Sequence, residues 1–130
     1  MVEHFIDIEG VAGSIPASRT HMTFEEYQKE SRRAARYPDV GHTIIYPTLG
    51  IAGETGEVVE KVKKILRDKN NIVSEETRAA VAKEMGDVLW YLAQLATELD
   101  ISLESVASGN LEKVLSRLER GVIHGDGDER

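Results

Sequence analysis

The sequence predicts an all-α fold: a four-helix-bundle-type subunit with a long central antiparallel helix hairpin, assembled as an oligomer. Three observations point there. Glu, Ala and Leu, good helix formers, are abundant in the 130-residue chain. Apolar residues recur at helical spacing, with no alternating strand pattern. Ser and Thr stand where helix caps are needed, and the segments between are short. A chain of this length is one domain with one core.

Thr23 followed by Glu26 has the form of a capping box and opens a first helix over about 24–36. Pro38, Gly41 and Pro47 punctuate the next stretch. A second helix spans 48–68, with Ile51, Val58, Val62, Ile65 and Leu66 on one stripe. "RDKNN" at 67–71 reads as a turn. Ser74 caps a third helix reaching Leu99, with Val81, Met85, Val88, Leu92, Leu95 and Leu99 as its stripe. "DIS" at 100–102 interrupts it, and Ser102 caps a fourth helix to about Leu118. The first helix has few large apolar residues, so a lone subunit is short of core and an oligomer is expected.

Residues 22–120 form the predicted domain. The leader, residues 1–21, lacks the basic start and apolar core of a signal peptide. His21-Met22 has the form of a cloning junction, with Met22 as the natural start; a native, flexible arm is the alternative. Residues 121–130 are Gly-rich and charged and read as a flexible tail. No Cys is present, which removes thiolate metal sites and disulfides and fits a cytoplasmic location. The net charge of −7 argues against a nucleic acid polymer as partner. No apolar run approaches the roughly 20 residues of a membrane span.

Glu54 and Glu57 in the second helix and Glu84 and Asp87 in the third are each three residues apart, with a glycine between. On a helical wheel Glu54 and Glu84 each lie about 80° from the centre of their stripe, and Glu57 and Asp87 about 140°, in the same sense. If the stripes face each other in an antiparallel pair, all four acids come to one side. The midpoint between the acid pairs falls at Asn70–Asn71, inside the predicted turn, so the heights agree as well. Converging carboxylates repel unless a cation lies among them, and oxygen-only donors select a hard one, Mg²⁺ or Mn²⁺. Gly53, Gly56 and Gly86 leave room for metal waters or a ligand, or for close backbones. The bland alternative is a solvated acidic face.

Glu54-Thr55-Gly56-Glu57 and Glu84-Met85-Gly86-Asp87 resemble the ExxE and ExxD signature of the MazG-like family of all-α nucleoside triphosphate pyrophosphohydrolases. "GIAGETGEVVEKVKK", "KEMGDVLWYLAQLATEL" and "ISLESVASGNLEKVLSR" are similar too, and the resemblance covers most of residues 23–118. It implies Mg²⁺-dependent cleavage of NTP or dNTP between the α and β phosphates, giving NMP and pyrophosphate, by a homodimer or homotetramer. Glu54, Glu57, Glu84 and Asp87 would hold the metal and form the catalytic set. His42, Lys61, Tyr91, Asn110 and Lys113 match positions near the nucleotide. Arg117 fits the pattern less closely.

Each of these has a plain structural alternative: a loop histidine, an i,i+4 partner for Glu57, a tyrosine covering the seam, and a polar helix face. Trp90, on the other side of the third helix from the acids, reads as core or subunit interface. An iron carboxylate bundle is disfavoured because it wants Glu-x-x-His pairs. A non-catalytic helical interaction module, a dUTPase and a phosphoribosyl-ATP pyrophosphohydrolase are the remaining alternatives.

Overall fold

A computed structural model describes residues 21–128. It contains α1 (Phe24–Arg32), α2 (Ile45–Asp68), α3 (Glu75–Glu98) and α4 (Leu103–Arg120), with no strand among the described residues. The expectation for the leader lies outside these residues except at His21, and that for the tail does so at residues 129–130.

The caps explain most of the boundaries. Thr23 Oγ1 accepts from the Glu26 amide and Glu26 Oε2 accepts from the Thr23 amide, both at 3.1 Å. The α1 helix stops four residues before the expected end. The amides of Arg33, Ala34 and Ala35 turn to carbonyls three residues back, and Tyr37 precedes Pro38, where helical backbone is disfavoured. The α2 helix starts three residues early. Pro47 falls in its first turn, where a missing N–H costs nothing, and Thr43 Oγ1 accepts from the Ile45 amide at 3.1 Å. Asn70 and Asn71 adopt positive φ of 52° and 58° in the expected turn. Ser74 and Ser102 each accept from the amide three residues on, at 3.2 Å. Gly121, at φ 69°, ends α4 with Val122 N–H on the Arg117 carbonyl at 2.9 Å.

The α3 helix is the centre of the packing. It touches each of the other helices, α1 also touches α4, and α2 packs on α3 alone. Within one chain the helices therefore do not close a bundle. Contacts between α2 and α3 run in opposite residue order: Gly50 meets Tyr91, Lys61 nears Glu84, and Lys64 and Ile65 line a cleft with Thr77 and Ala80. A Cβ added to Gly50 would lie 2.4 Å from the Tyr91 ring, so the absent side chain is what lets the helices approach.

The buried core is small: Ala93, Ala96 and Leu103, with Tyr27 and Leu89 against them. The apolar stripes are only partly covered. Ile65 is buried, but Leu66 is 65% exposed and Met85 58%. The buried face of α3 towards α1 and α4 carries Ala93, Gln94 and Ala96 instead.

Polar bonds supplement this core. Gln28 donates to Thr97 Oγ1 at 3.1 Å and to the Ile101 carbonyl at 3.0 Å, and accepts from the Leu103 amide at 2.8 Å, holding the α3–α4 turn. Buried Gln94 donates to Ser31 Oγ at 3.0 Å. The Glu98 side chain, 1% exposed, accepts from the Tyr37 hydroxyl, from the Gly41 amide at 2.8 Å and from Arg32 Nη2 at 3.1 Å. Burial pushes the Glu98 carboxyl up, but these donors outweigh it and hold it below its ordinary 4.5. No helix among the described residues is long and apolar enough to cross a membrane.

Two outcomes follow from the packing. Gly50→Ala overpacks the Tyr91 contact and lowers stability by about 1–3 kcal/mol. Gly53→Ala, whose added carbon meets nothing within 4 Å, instead gains up to about 0.8–1 kcal/mol of helix propensity; urea melts of both variants check this. Because Glu98 is depressed in the folded chain, its contribution is complete above its ordinary 4.5 and disappears as pH falls through the folded value. Glu98→Gln is therefore destabilised at pH 7, and its deficit against the wild type shrinks in melts taken progressively below about pH 4.5.

Candidate metal centre

One face of α2 and one of α3 meet at the acids. Carboxylate oxygens of Glu54, Glu84 and Asp87 lie within 4.8 Å of one another. Glu54 and Glu84 are half-buried and Asp87 is exposed. Glu57 stands outside that trio, exposed on the next turn of α2, yet close enough for its charge to act on Glu54. Lys61 Nζ is 3.9 Å from Glu84 Oε1, so its ion pair crosses the helix pair, where the sequence offered Glu57 as a local partner.

Tyr91 sits one turn beyond Asp87, against Gly50. Burial, then Tyr46, the charge of Glu54, a hydrogen bond with Tyr46 and the charge of Asp87, push its hydroxyl up from 10.0. On the α1 side Tyr27 is raised by burial and then by Asp87. The cluster thus lies on α2 and α3 with α1 bordering it.

Burial, then the negative charges of Asp87, Glu84 and Glu57, push the Glu54 carboxyl up from 4.5. A cation among these oxygens would oppose both effects. The donors fit one. Oxygens bound to a single Mg²⁺ at 2.0–2.1 Å are at most about 4.2 Å apart, so a small side-chain adjustment suffices. An all-oxygen set suits a hard cation. A Cβ at Gly53, Gly56 or Gly86 would meet nothing within 4 Å, so these glycines adjoin open space rather than a close backbone.

No hydrogen bond or ion pair joins the other expected residues to the acids among the described residues. His42 is exposed in the loop before α2. Asn110 and Lys113 lie on α4, which does not pack on α2. Lys113 pairs with Asp128 at 3.0 Å. Buried Arg117 also binds Asp128, Nη2 to Oδ1 at 2.9 Å and to its backbone carbonyl, while its Nε has no partner. Trp90 donates to the Ser31 carbonyl at 3.3 Å, which places it at the α1–α3 contact, in keeping with the core alternative. A cleft of about 200 Å³ lined by Lys61, Lys64, Ile65, Asp68, Lys69, Thr77 and Ala80 lies towards the turn, and none of Glu54, Glu57, Glu84 and Asp87 lines it.

Sequence reading missed Gly50 and Tyr46. The signal was available: residues 46, 50 and 54 share one face of α2 at i, i+4 and i+8, with a notch between an aromatic and an acid.

Across the described residues, fold and site define a helical protein with a cross-helix carboxylate cluster that could hold a metal ion. The chain belongs to the MazG nucleotide pyrophosphohydrolase domain family, whose model matches residues 44–122, a span holding α2, α3, α4 and the acids Glu54, Glu57, Glu84 and Asp87. It is 46% identical over 114 residues to the Gene 37 protein of Mycobacterium phage L5, a match covering 84% of this chain and 100% of that protein. No solved structure matches it.

A cation titration checks the centre. Mg²⁺ at about 100 times its dissociation constant raises wild-type stability by about 2.7 kcal/mol, and Glu84→Gln loses that gain. Glu54 is raised in the folded chain, so its charged form costs stability that grows as pH rises from 4.5 through the folded value. Glu54→Gln removes that cost and melts higher than wild type without metal at pH 7.

Proposed function

We propose that this chain hydrolyses nucleoside triphosphates, NTP or dNTP, between the α and β phosphates, yielding NMP and pyrophosphate, with Mg²⁺ as cofactor and Mn²⁺ as a substitute. The observation that carries the reading is the convergence of Glu54, Glu84 and Asp87 inside the family-matched span. In this reading Glu57, one turn from Glu54, completes the set as a further ligand, direct or through water. The ion, when bound, supplies positive charge against the polyphosphate and acidifies a nearby water.

The residues do the rest. A carboxylate of the set positions the attacking water and takes its proton. The water oxygen bonds to the α phosphorus as the bond to the α–β bridging oxygen breaks, and pyrophosphate leaves with the electron pair. In this reading Lys61, 3.9 Å from Glu84 Oε1, exchanges that carboxylate for a phosphate oxygen, and Tyr91 packs on the substrate beside the acids.

We read the opposed order of the α2–α3 contacts as the expected antiparallel hairpin. The exposed apolar residues Leu66, Met85, Leu92, Leu99, Leu111 and Leu118 support assembly as a homodimer or homotetramer. In such an assembly a second subunit brings His42, Asn110 and Lys113 to the nucleotide. The role we favour is clearance of non-standard or excess nucleotides.

Pyrophosphate release measured across NTPs and dNTPs with Mg²⁺ tests this. Glu84→Gln and Asp87→Asn each lower kcat by about 100-fold or more with the fold retained. Glu57→Gln also loses turnover; a wild-type rate there would leave only three ligands, and a wild-type rate in Asp87→Asn would remove that residue from the site.

A further inference from the structure

Four aromatic rings form a closed circuit beside the acids. Tyr37 and Tyr46 stack with centroids 5.3 Å apart and planes 10° from parallel. Tyr46 and Tyr91 are tilted at 6.4 Å. Trp90 meets Tyr91 edge-on at 5.0 Å and Tyr37 edge-on at 6.3 Å. Three of the rings are held from behind. Tyr37 is 7% exposed, accepts from Arg32 Nη1 at 2.6 Å, donates to buried Glu98 and lies 5.8 Å from the Arg32 guanidinium. Tyr91 fills the notch at Gly50, and Trp90 is bonded to α1. Tyr46 is the ring that faces water, at 40% exposure. It is fixed in orientation by Tyr37 and lies two turns, about 12 Å along the axis, from Glu54 on the same face of α2.

We infer that Tyr46 is the platform on which the substrate's nucleobase stacks. The inference rests on the nucleotide reading above and extends it to the base end of the site. A flat, preorganised, half-exposed ring next to a polyphosphate centre suits a planar π-face, and aromatic stacking accepts every base. Tyr91 touches both ends of this arrangement, adjoining Tyr46 on one side and Glu54 and Asp87 on the other. The sugar of a bound nucleotide spans that interval.

The test compares a nucleotide with a base-free probe. Wild type, Tyr46→Ala and Tyr46→Phe are assayed with ATP and CTP in Mg²⁺, and inorganic tripolyphosphate is titrated as a competitor. Tyr46→Ala raises KM for both nucleotides roughly 5- to 150-fold. Its inhibition constant for tripolyphosphate stays at the wild-type value, and Tyr46→Phe behaves as wild type. An unchanged KM in Tyr46→Ala overturns the inference. So does an equal loss of nucleotide and tripolyphosphate affinity, or a changed sedimentation mass, since either marks a packing or subunit-contact role shared with neighbouring Ile45 and Leu49.

Direct binding separates this inference from the hydrolytic one. Suppose wild type releases no pyrophosphate yet binds ATP more tightly than tripolyphosphate, and Tyr46→Ala loses the difference. The platform then stands and the proposed reaction falls. Equal binding of ATP and tripolyphosphate by wild type ends the platform whatever the turnover.

Discussion

The separation of α2 and α3 at Gly50 governs the geometry of the acid cluster. The Tyr91 ring occupies the space a side chain at Gly50 would take, and it fixes both the closeness of the two helices and their relative height. From that contact the next turns follow in step: Glu54 falls beside Asp87 and Glu84, and Lys61 beside Glu84. A slide of one helical turn, about 5.4 Å, would separate the acids. Packing at one glycine therefore sets the geometry of charges a turn away.

The same contact creates a tension. Burial, and then the charges of Asp87, Glu84 and Glu57, push the Glu54 carboxyl up, so part of that displacement is repulsion within the cluster. Lys61 offsets part of it at 3.9 Å, which is long for an ion pair and exposed to solvent. In the proposed reading a bound cation would offset the rest. The flanking glycines agree, since each gives up helix propensity beside open space.

Much of this was legible beforehand because it is local. Thr23, Ser74 and Ser102 announce their helices through hydrogen bonds made within three residues, and Asn70 and Asn71 announce the turn. Counting from that turn suffices to level the two acid pairs. What escaped was non-local. The segment after α1 is tied down by a partner more than sixty residues away, as the Tyr37 hydroxyl donates to Glu98. The wheel assumed that each stripe faces its neighbour. In fact α3 is shared between α2 on one side and α1 and α4 on another, so Met85 and Leu92 remain exposed in the single chain. Glu57 shares a helix with Glu54 but is turned further round, and its offset of about 140° was already the larger one. Gly50 was passed over because its importance depends on a ring in another helix.

One carboxylate also decides how the front of the molecule can come apart. Glu98 is bonded at once by Arg32 in α1, Tyr37 just beyond it and the Gly41 amide further along the same loop. The loop cannot peel back alone without leaving a charged oxygen in the interior. Opening here is therefore cooperative, a shared event for α1, the connecting segment and the end of α3, and amides in all three should exchange with solvent at a common rate rather than in sequence.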